Sequence, residues 1–463
     1  MKIRFIGGVR SVTGSMHIIE ADGAGILIDC GLFYGHREEA NIRNRNLPFD
    51  APAIEAAVLT HAHIDHAGNL PTLCNSGFTG PIYSTFATHD LCGILLRDSA
   101  RIQLGDAEYL NRKAGRKGLP PIEPVYTGVE AERAMRQFIA IGYGRPIRIT
   151  PAVTLTMMHA GHILGSAIAV FDISENGRHT RAVFTGDLGR ERMPIIRSRE
   201  PVDDVDVLIM ESTYGDRLHP SPSNIERELT AIVNRTYSRG GKILIPAFSV
   251  GRTQQVVYIL HQLAEAGAIP PLPIFVDSPL SVNATEIYRI HPECYNEETY
   301  NYLRVNKNPF GFRNISYIRK TGDSIKLNDH PHPCIIISAS GMCEAGRILH
   351  HLRHGIGKEE NTIVMVCFCA ENTLGKRIVE RKKRVRIFGE EYTLRAEVAV
   401  MNAFSAHADR SELVSYARSL SPSPGRTFLV HGDEDQSLAL AEHLRAAGVG
   451  NVSVPMPGDK IET

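Results

Sequence analysis

A chain of 463 residues is too long for one ordinary core and divides into about two or three domains. Basic and acidic side chains balance at 51 each, so no global field draws the protein toward nucleic acid or a membrane, although a local basic cleft remains open to it. There is no apolar run of about 18 residues and no apolar core in MKIRFIGGVRSVTG, which excludes a helical membrane span and argues against a signal peptide. The eight cysteines are scattered without paired zinc-ribbon spacing and read as reduced thiols of a cytoplasmic protein.

In chain order, KIRFIGG, MHIIEAD and GILIDCG read as short strands, the last two joined by a glycine turn. The apolar run AAVL leads as a buried strand into LTHAHIDHAGN, and NLPTLC opens a helix. Helices are predicted over 87–112 and 129–141, separated by the Gly/Pro/Lys/Arg stretch KAGRKGLPPIEP. Strands follow in VTLTMMHAG, AIAVFDI, TRAVFTGD and VDVLIMES. From about residue 223 helices alternate with buried strands (KILIPAF, PIFVDSP, CIIISASG, NTIVMVCFCA), the pattern of a parallel sheet covered by helices. Hairpin-like strands return near 385. The predicted organisation is a first domain in two parts, 1–214 and 396–463, interrupted by an inserted domain over 215–395.

The loop at 59–69 packs His61, His63, Asp65 and His66 into six positions. A single histidine there would be an ordinary core or surface residue. The set His-x-His-x-Asp-His supplies imidazole nitrogens and a carboxylate, which suits a zinc-like ion. Further groups end strand-like runs: His162 in HAGHILGS, Asp187 in VFTGDLG, His431 in FLVHGDE and Asp29 in ILIDCG. Each alone reads as a turn residue; together they match the habit of α/β folds to gather sites at strand C-terminal ends. Asp187 suits bridging two ions, one per oxygen. Asp29 is either a ligand or a group that orients one. Cys367 and Cys369 read as same-face strand residues, and HHLRH (350–354) as a helix surface without a carboxylate partner.

GGVRSVTGS, ILIDCG, HAHIDHAGN, HILGS and FTGDLG, in this order, resemble the metallo-β-lactamase superfamily. ESTYGD, SAHAD, VHGDE and the inserted α/β region are similar to its β-CASP branch, in particular to prokaryotic ribonucleases related to the cleavage-and-polyadenylation endonuclease. The resemblance implies an α/β fold, a metallo-β-lactamase αβ/βα four-layer sandwich carrying an inserted β-CASP domain of mainly parallel sheet. It implies two zinc ions, manganese being an alternative: one on His61, His63 and His162, the other on Asp65, His66 and His431, with Asp187 between them. It implies catalytic roles for Asp65, Glu211 and His407, and a possible homodimer. Histidine at position 431 favours RNA, because DNA-repair branches carry an aliphatic residue there.

Two ions about 3.5–4 Å apart can neutralise an RNA phosphodiester and lower the pKa of a bridging water toward ~7. The expected activity is a zinc-dependent ribonuclease acting on single-stranded RNA. Cleavage would be mostly internal, with capacity from the 5′ end, and would leave a 5′-phosphate and a 3′-hydroxyl. His407, oriented by Glu211, would protonate the leaving oxygen. Ser340 and Gly341 in SASGMCEAGR, Lys376 and Arg377 in the basic run ENTLGKRIVERKKRVR, and Arg252 and Ser405 are the expected substrate contacts. A small-molecule thioester or lactam hydrolase is disfavoured by the inserted domain, and a metal-free RNA-binding scaffold by the filled ligand positions.

Overall fold

The computed structural model describes residues 1–114, 121–220, 224–306 and 308–462, so part of the stretch KAGRKGLPPIEP lies outside the described residues. The chain forms two compact units. The first comprises Met1–Glu191, Arg197–Leu218 and His407–Thr463, and the second Arg192–Ile196 and His219–Ala406.

The first unit holds two seven-stranded sheets. One runs in the order β22-β1-β2-β3-β4-β5-β6, with β1 (Lys2–Gly7), β2 (Met16–Ala21), β3 (Ala24–Ile28), β4 (Ile54–Val58), β5 (Ile82–Thr85), β6 (Phe138–Ile141) and β22 (Lys460–Glu462). The other runs β21-β20-β11-β10-β9-β8-β7, with β7 (Ile147–Arg148), β8 (Val153–His159), β9 (Ala167–Glu175), β10 (Arg178–Phe184), β11 (Val207–Glu211), β20 (Arg426–Val430) and β21 (Val452–Ser453). Asp22-Gly23, with φ of 49° and 82°, closes the β2–β3 hairpin; its two left-handed residues match the strand twist. The sequence assigned 129–141 to one helix. The helix stops at Met135, and the β-branched and aromatic residues that follow pair as β6 with β5.

Alternation along the strands builds the layers. Phe5, Ile26, Ile28 and Val58 of the first sheet meet Leu155, Phe171, Phe184, Ile209 and Phe428 of the second in one buried cluster. The opposite face of the second sheet (Ile168, Val183, Leu208, Leu429) packs on Leu413 and Tyr416 of the helix Arg410–Ser419 and on Leu440 and Leu444 of the helix Glu434–Ala446. Helices Leu70–Asn75, Phe86–Ala114 and Gly128–Met135 belong to the first sheet's side. This is the four-layer αβ/βα sandwich. None of the described helices is long and apolar enough to cross a membrane.

The second unit is a six-stranded sheet in the order β14-β13-β15-β12-β16-β19, every pairing parallel: β12 (Ile243–Pro246), β13 (Ile274–Val276), β14 (Ile315–Tyr317), β15 (Ile335–Ser338), β16 (Thr362–Met365) and β19 (Glu397–Val400). A hairpin of β17 (Arg384–Ile387) and β18 (Glu390–Thr393) stands apart. Because β19 pairs with β16, this unit continues beyond residue 395 to Ala406. Cys367 and Cys369 are buried just after β16 rather than within it.

The stretch HHLRH departs from its surface reading. His351 is buried, and its Nε2 lies 2.7 Å from Asp277 Oδ2, while Arg347 Nη1 donates to Asp277 Oδ1 at 2.6 Å and Ser324 Oγ to Oδ2 at 2.5 Å. Burial alone would push the Asp277 carboxyl up; these three donors outweigh it and hold it below its ordinary value. Its folded-state pKa is therefore depressed, so its stabilisation is present above the unfolded carboxylate pKa and is lost as pH falls through the folded one. Removing one partner of such a buried group costs about 3–5 kcal/mol. Asp277→Ala is expected to lower the urea midpoint at neutral pH, and the difference from the parent should shrink at acidic pH. A pH-independent difference would mean that packing, not the ion pairs, holds this node.

Candidate metal centre

The chain ends six strands of the first unit at one edge. Asp29 follows β3, the 59–69 loop follows β4, His162 follows β8, Asp187 follows β10, Glu211 ends β11, and His431 follows β20. β3 and β4 are parallel neighbours, as are β10, β11 and β20; β8 shares the direction of β10 because both run antiparallel to β9. Two glycines permit the loops to approach. A Cβ on Gly31 would lie 1.6 Å from the Asp65 carbonyl oxygen, and one on Gly189 would lie 1.7 Å from that of Gly161. Asp29 and His431 sit in the left-handed region, with φ of 58° and 47°, a conformation uncommon for L residues other than Asn, Asp and His.

At this edge the imidazoles converge in two sets. His61 Nε2 and His162 Nε2 each lie 3.1 Å from His63 Nδ1 and 3.4 Å from Asp187 Oδ2. His66 Nε2 lies 3.1 Å from His431 Nε2 and 3.3 Å from Asp187 Oδ1, and His431 Nε2 lies 3.6 Å from Asp65 Oδ2. Ligand arms of about 2.0–2.1 Å in a tetrahedron have edges near ~3.3 Å, so these separations are those of nitrogens and oxygens sharing a small cation. Asp187 Oδ1 is buried and makes no hydrogen bond among the described residues. An orphaned carboxylate oxygen among imidazoles fits a metal, and the donor set fits zinc chemistry.

The electrostatics agree. Burial holds His61, His63 and His162 below the ordinary histidine range, His63 down to about 3, which keeps them neutral with a lone pair to give. At His66 burial opposes a charge, but Asp187 and Asp29 outweigh it and favour positive charge there. Asp187 and Asp65 stay ionised against burial, because His431 and the other imidazoles surround them.

Asp29 is not in either set. His66 Nδ1 lies 2.7 Å from Asp29 Oδ2, while Thr60 donates its N–H to Oδ1 at 2.8 Å and its hydroxyl to Oδ2 at 3.0 Å. Donation from Nδ1 fixes the tautomer that presents Nε2 to the centre. Beside the sets, His407 Nδ1 lies 3.2 Å from Glu211 Oε2, and Glu211 Oε1 accepts the Leu188 N–H at 2.5 Å. Burial would lower His407, but Glu211 and Asp187 outweigh it and push it up to about 9, although its side chain is 22% exposed.

Residues 10–225 match the metallo-beta-lactamase superfamily, 253–378 the Beta-Casp domain, and 391–455 the Zn-dependent metallo-hydrolase RNA specificity domain. A ribonuclease of Thermus thermophilus is 35% identical over 97% of each chain. The transcription termination factor FttA of Methanocaldococcus jannaschii is 33% identical over 100% of this chain and 71% of its own. The chain belongs to the β-CASP ribonuclease family of the metallo-β-lactamase superfamily. It is a hydrolase of that family. A crystal structure of an Enterococcus faecalis protein of unknown function, 14% identical with a TM-score of 0.54 over 99% of both chains, shares the fold.

Within this β-CASP protein, His61, His63, Asp65, His66, His162, Asp187, Glu211, His407 and His431 all meet in the first unit. The expected substrate contacts Ser340, Gly341, Arg252, Lys376, Arg377 and Ser405 all lie in the second. Ser340 Oγ already accepts the N–H groups of Glu344 and Ala345, so the loop's amides are partly satisfied by its own side chain. Arg252 is buried, donates to Gln255 and lies over the Phe404 ring, which suits holding the loop rather than meeting RNA directly. Lys376 is paired with Glu371, Arg377 is exposed, and Ser405 caps a short turn two residues before His407. Thr60, Leu188 and Ser166, whose Oγ accepts the His162 N–H at 3.0 Å, are supports that motif reading passed over, although each lies inside a motif.

Asp29→Asn keeps the shape but removes the charge behind His66. Metal affinity is expected to fall about 10- to 100-fold, read by chelator competition. Unchanged affinity would show that Asp29 serves only the fold.

Proposed function

We propose that this protein is a two-zinc ribonuclease that hydrolyses single-stranded RNA, mostly internally, with capacity from the 5′ end. The observation that carries this reading is Asp187, whose two oxygens face two separate imidazole sets with the His407–Glu211 pair beside them. His61, His63 and His162 would hold one ion and Asp65, His66 and His431 the other. Bound there, the ions would supply charge neutralisation for the phosphodiester and acidify a water.

The chain's own residues do the rest. Asp187 keeps the two sets in register. Asp29 and Thr60 lock His66 and keep its Nε2 turned inward. Glu211 holds His407 protonated, and His407 gives that proton to the departing 3′-oxygen as the bond from phosphorus to that oxygen breaks and the oxygen of a water that has released its own proton to solvent bonds to phosphorus. The products are a 5′-phosphate and a 3′-hydroxyl. Ser340, Gly341 and Arg377 are proposed to steady the RNA backbone. The relatives named as a ribonuclease and as a termination factor support RNA as substrate.

The test is metal analysis of purified protein together with 5′-labelled single-stranded RNA and matched DNA. The expected result is about two zinc per chain, internal RNA fragments and intact DNA. A protein that binds metal and leaves RNA whole would overturn the reading in favour of a small-substrate hydrolase or a scaffold.

A further inference from the structure

His407 is held through its backbone as well as through its ring. It lies opposite Gly189 in a short antiparallel bridge, and Ala408 N donates to Leu188 O at 2.8 Å. Leu188 N donates to Glu211 Oε1 at 2.5 Å, and Glu211 Oε2 lies 3.2 Å from His407 Nδ1. The segment Leu188–Gly189 therefore sets both the backbone of His407 and the carboxylate behind its ring. On its other side Gly189 N donates to Ala160 O at 2.8 Å, against the loop that carries His162.

A buried cation fastens this segment. Arg199 Nη1 donates to Gly189 O at 2.6 Å, and its Nη2 donates to Glu191 Oε1 at 3.0 Å and to Glu412 O at 3.3 Å. The Arg199 side chain is 4% exposed, whereas the Glu191 carboxylate that pairs with it is 58% exposed. Glu412 closes the connection: its carboxylate accepts the Glu191 N–H at 2.9 Å and the N–H of Asp409, two residues after His407, at 3.0 Å. Apolar side chains of similar size often stabilise a fold as well as a buried ion pair does, so stability alone does not call for a guanidinium here. Its planar fork reaches three acceptors on two chain segments at once, which the point charge of a lysine cannot.

We propose that Arg199 is a positioning residue for the reaction: by fastening Gly189 to the segment that follows His407, it sets the place from which His407 delivers its proton. This rests on the ribonuclease reading and on His407 as its general acid. Arg199→Met fills the same space without the fork. In steady-state cleavage of a uridine oligonucleotide by the full-length protein, it should lower kcat about 100-fold, the effect of a misplacement of about 1 Å, with KM and zinc content near the parent's. Arg199→Lys should recover only part of that loss. In a His407→Ala background Arg199→Met should cost little further, because residues that act as a unit are not additive. A 3′-phosphorothiolate linkage, whose sulfur leaves with little protonation, should recover most of the Arg199→Met loss.

If Arg199→Met leaves kcat unchanged, or lowers it equally in both backgrounds or equally on oxygen and sulfur substrates, the positioning role is overturned and the ribonuclease reading stands. If both Arg199 variants lose zinc or elute as aggregates, Arg199 serves the metal centre or the fold, and the proposal is again overturned. If the parent leaves RNA intact, or His407→Ala cleaves as fast as the parent, the reading beneath the proposal falls and takes it along.

Discussion

Asp187→Asn is expected to empty the centre. The substitution preserves volume and leaves one neutral oxygen where two anionic ones faced His61 and His162 on one side and His66 on the other. Each set loses both a ligand and the negative charge that favours a cation among buried imidazoles. The loss of zinc affinity should therefore exceed the ~10- to 100-fold that outer groups cost, and RNA cleavage should vanish with the metal. Elemental analysis after gel filtration reads the first, and a labelled-RNA assay the second. His61, His63 and His162 are already held neutral by burial, and Asp29 still faces His66, so the apo fold should persist, which circular dichroism checks. An Asp187→Asn protein that keeps two ions at parental affinity would remove Asp187 from the bridging role.

His407→Ala should separate metal binding from chemistry. His407 stands outside both ligand sets, so zinc content should stay at the parental level. The leaving 3′-oxygen loses its proton donor, and kcat should fall about 10²- to 10⁴-fold. A substrate whose leaving atom is sulfur needs little protonation, so a 3′-phosphorothiolate linkage should recover most of the loss. Equal defects on oxygen and sulfur substrates would exclude the general-acid role. The partner tests the same idea by pH. Glu211 raises His407 to about 9. Glu211→Gln removes that charge, so the alkaline limb of the rate profile should move to lower pH.

Both predictions turn on residues whose types and positions are legible in the sequence. His61, His63, Asp65 and His66 stand close together on one loop, and His162, Asp187 and His431 each follow a strand, whereas Glu211 and His407 are marked only by the family resemblance. Ligand chemistry demands particular side chains, and strand ends present them, so a one-dimensional pattern carries the information. The same local rules read most of the strands correctly, because alternation and turn residues act within a few positions. They failed at 136–141, where Phe138–Ile141 is helix-compatible by itself and becomes β6 because β5 offers it a ladder.

The sequence by itself determined the inventory of candidate ligands, the layered α/β class and the existence of an inserted parallel-sheet unit, because these follow from residue type and periodicity. Only the tertiary structure decided which ring nitrogens face inward, since that depends on partners far along the chain, as with Asp29 behind His66 and Glu211 behind His407. It also decided that His351 is buried on Asp277 and that Arg252 turns inward. Hydrogen-bond direction, burial and loop convergence are properties of chain segments brought together, and local pattern does not encode them.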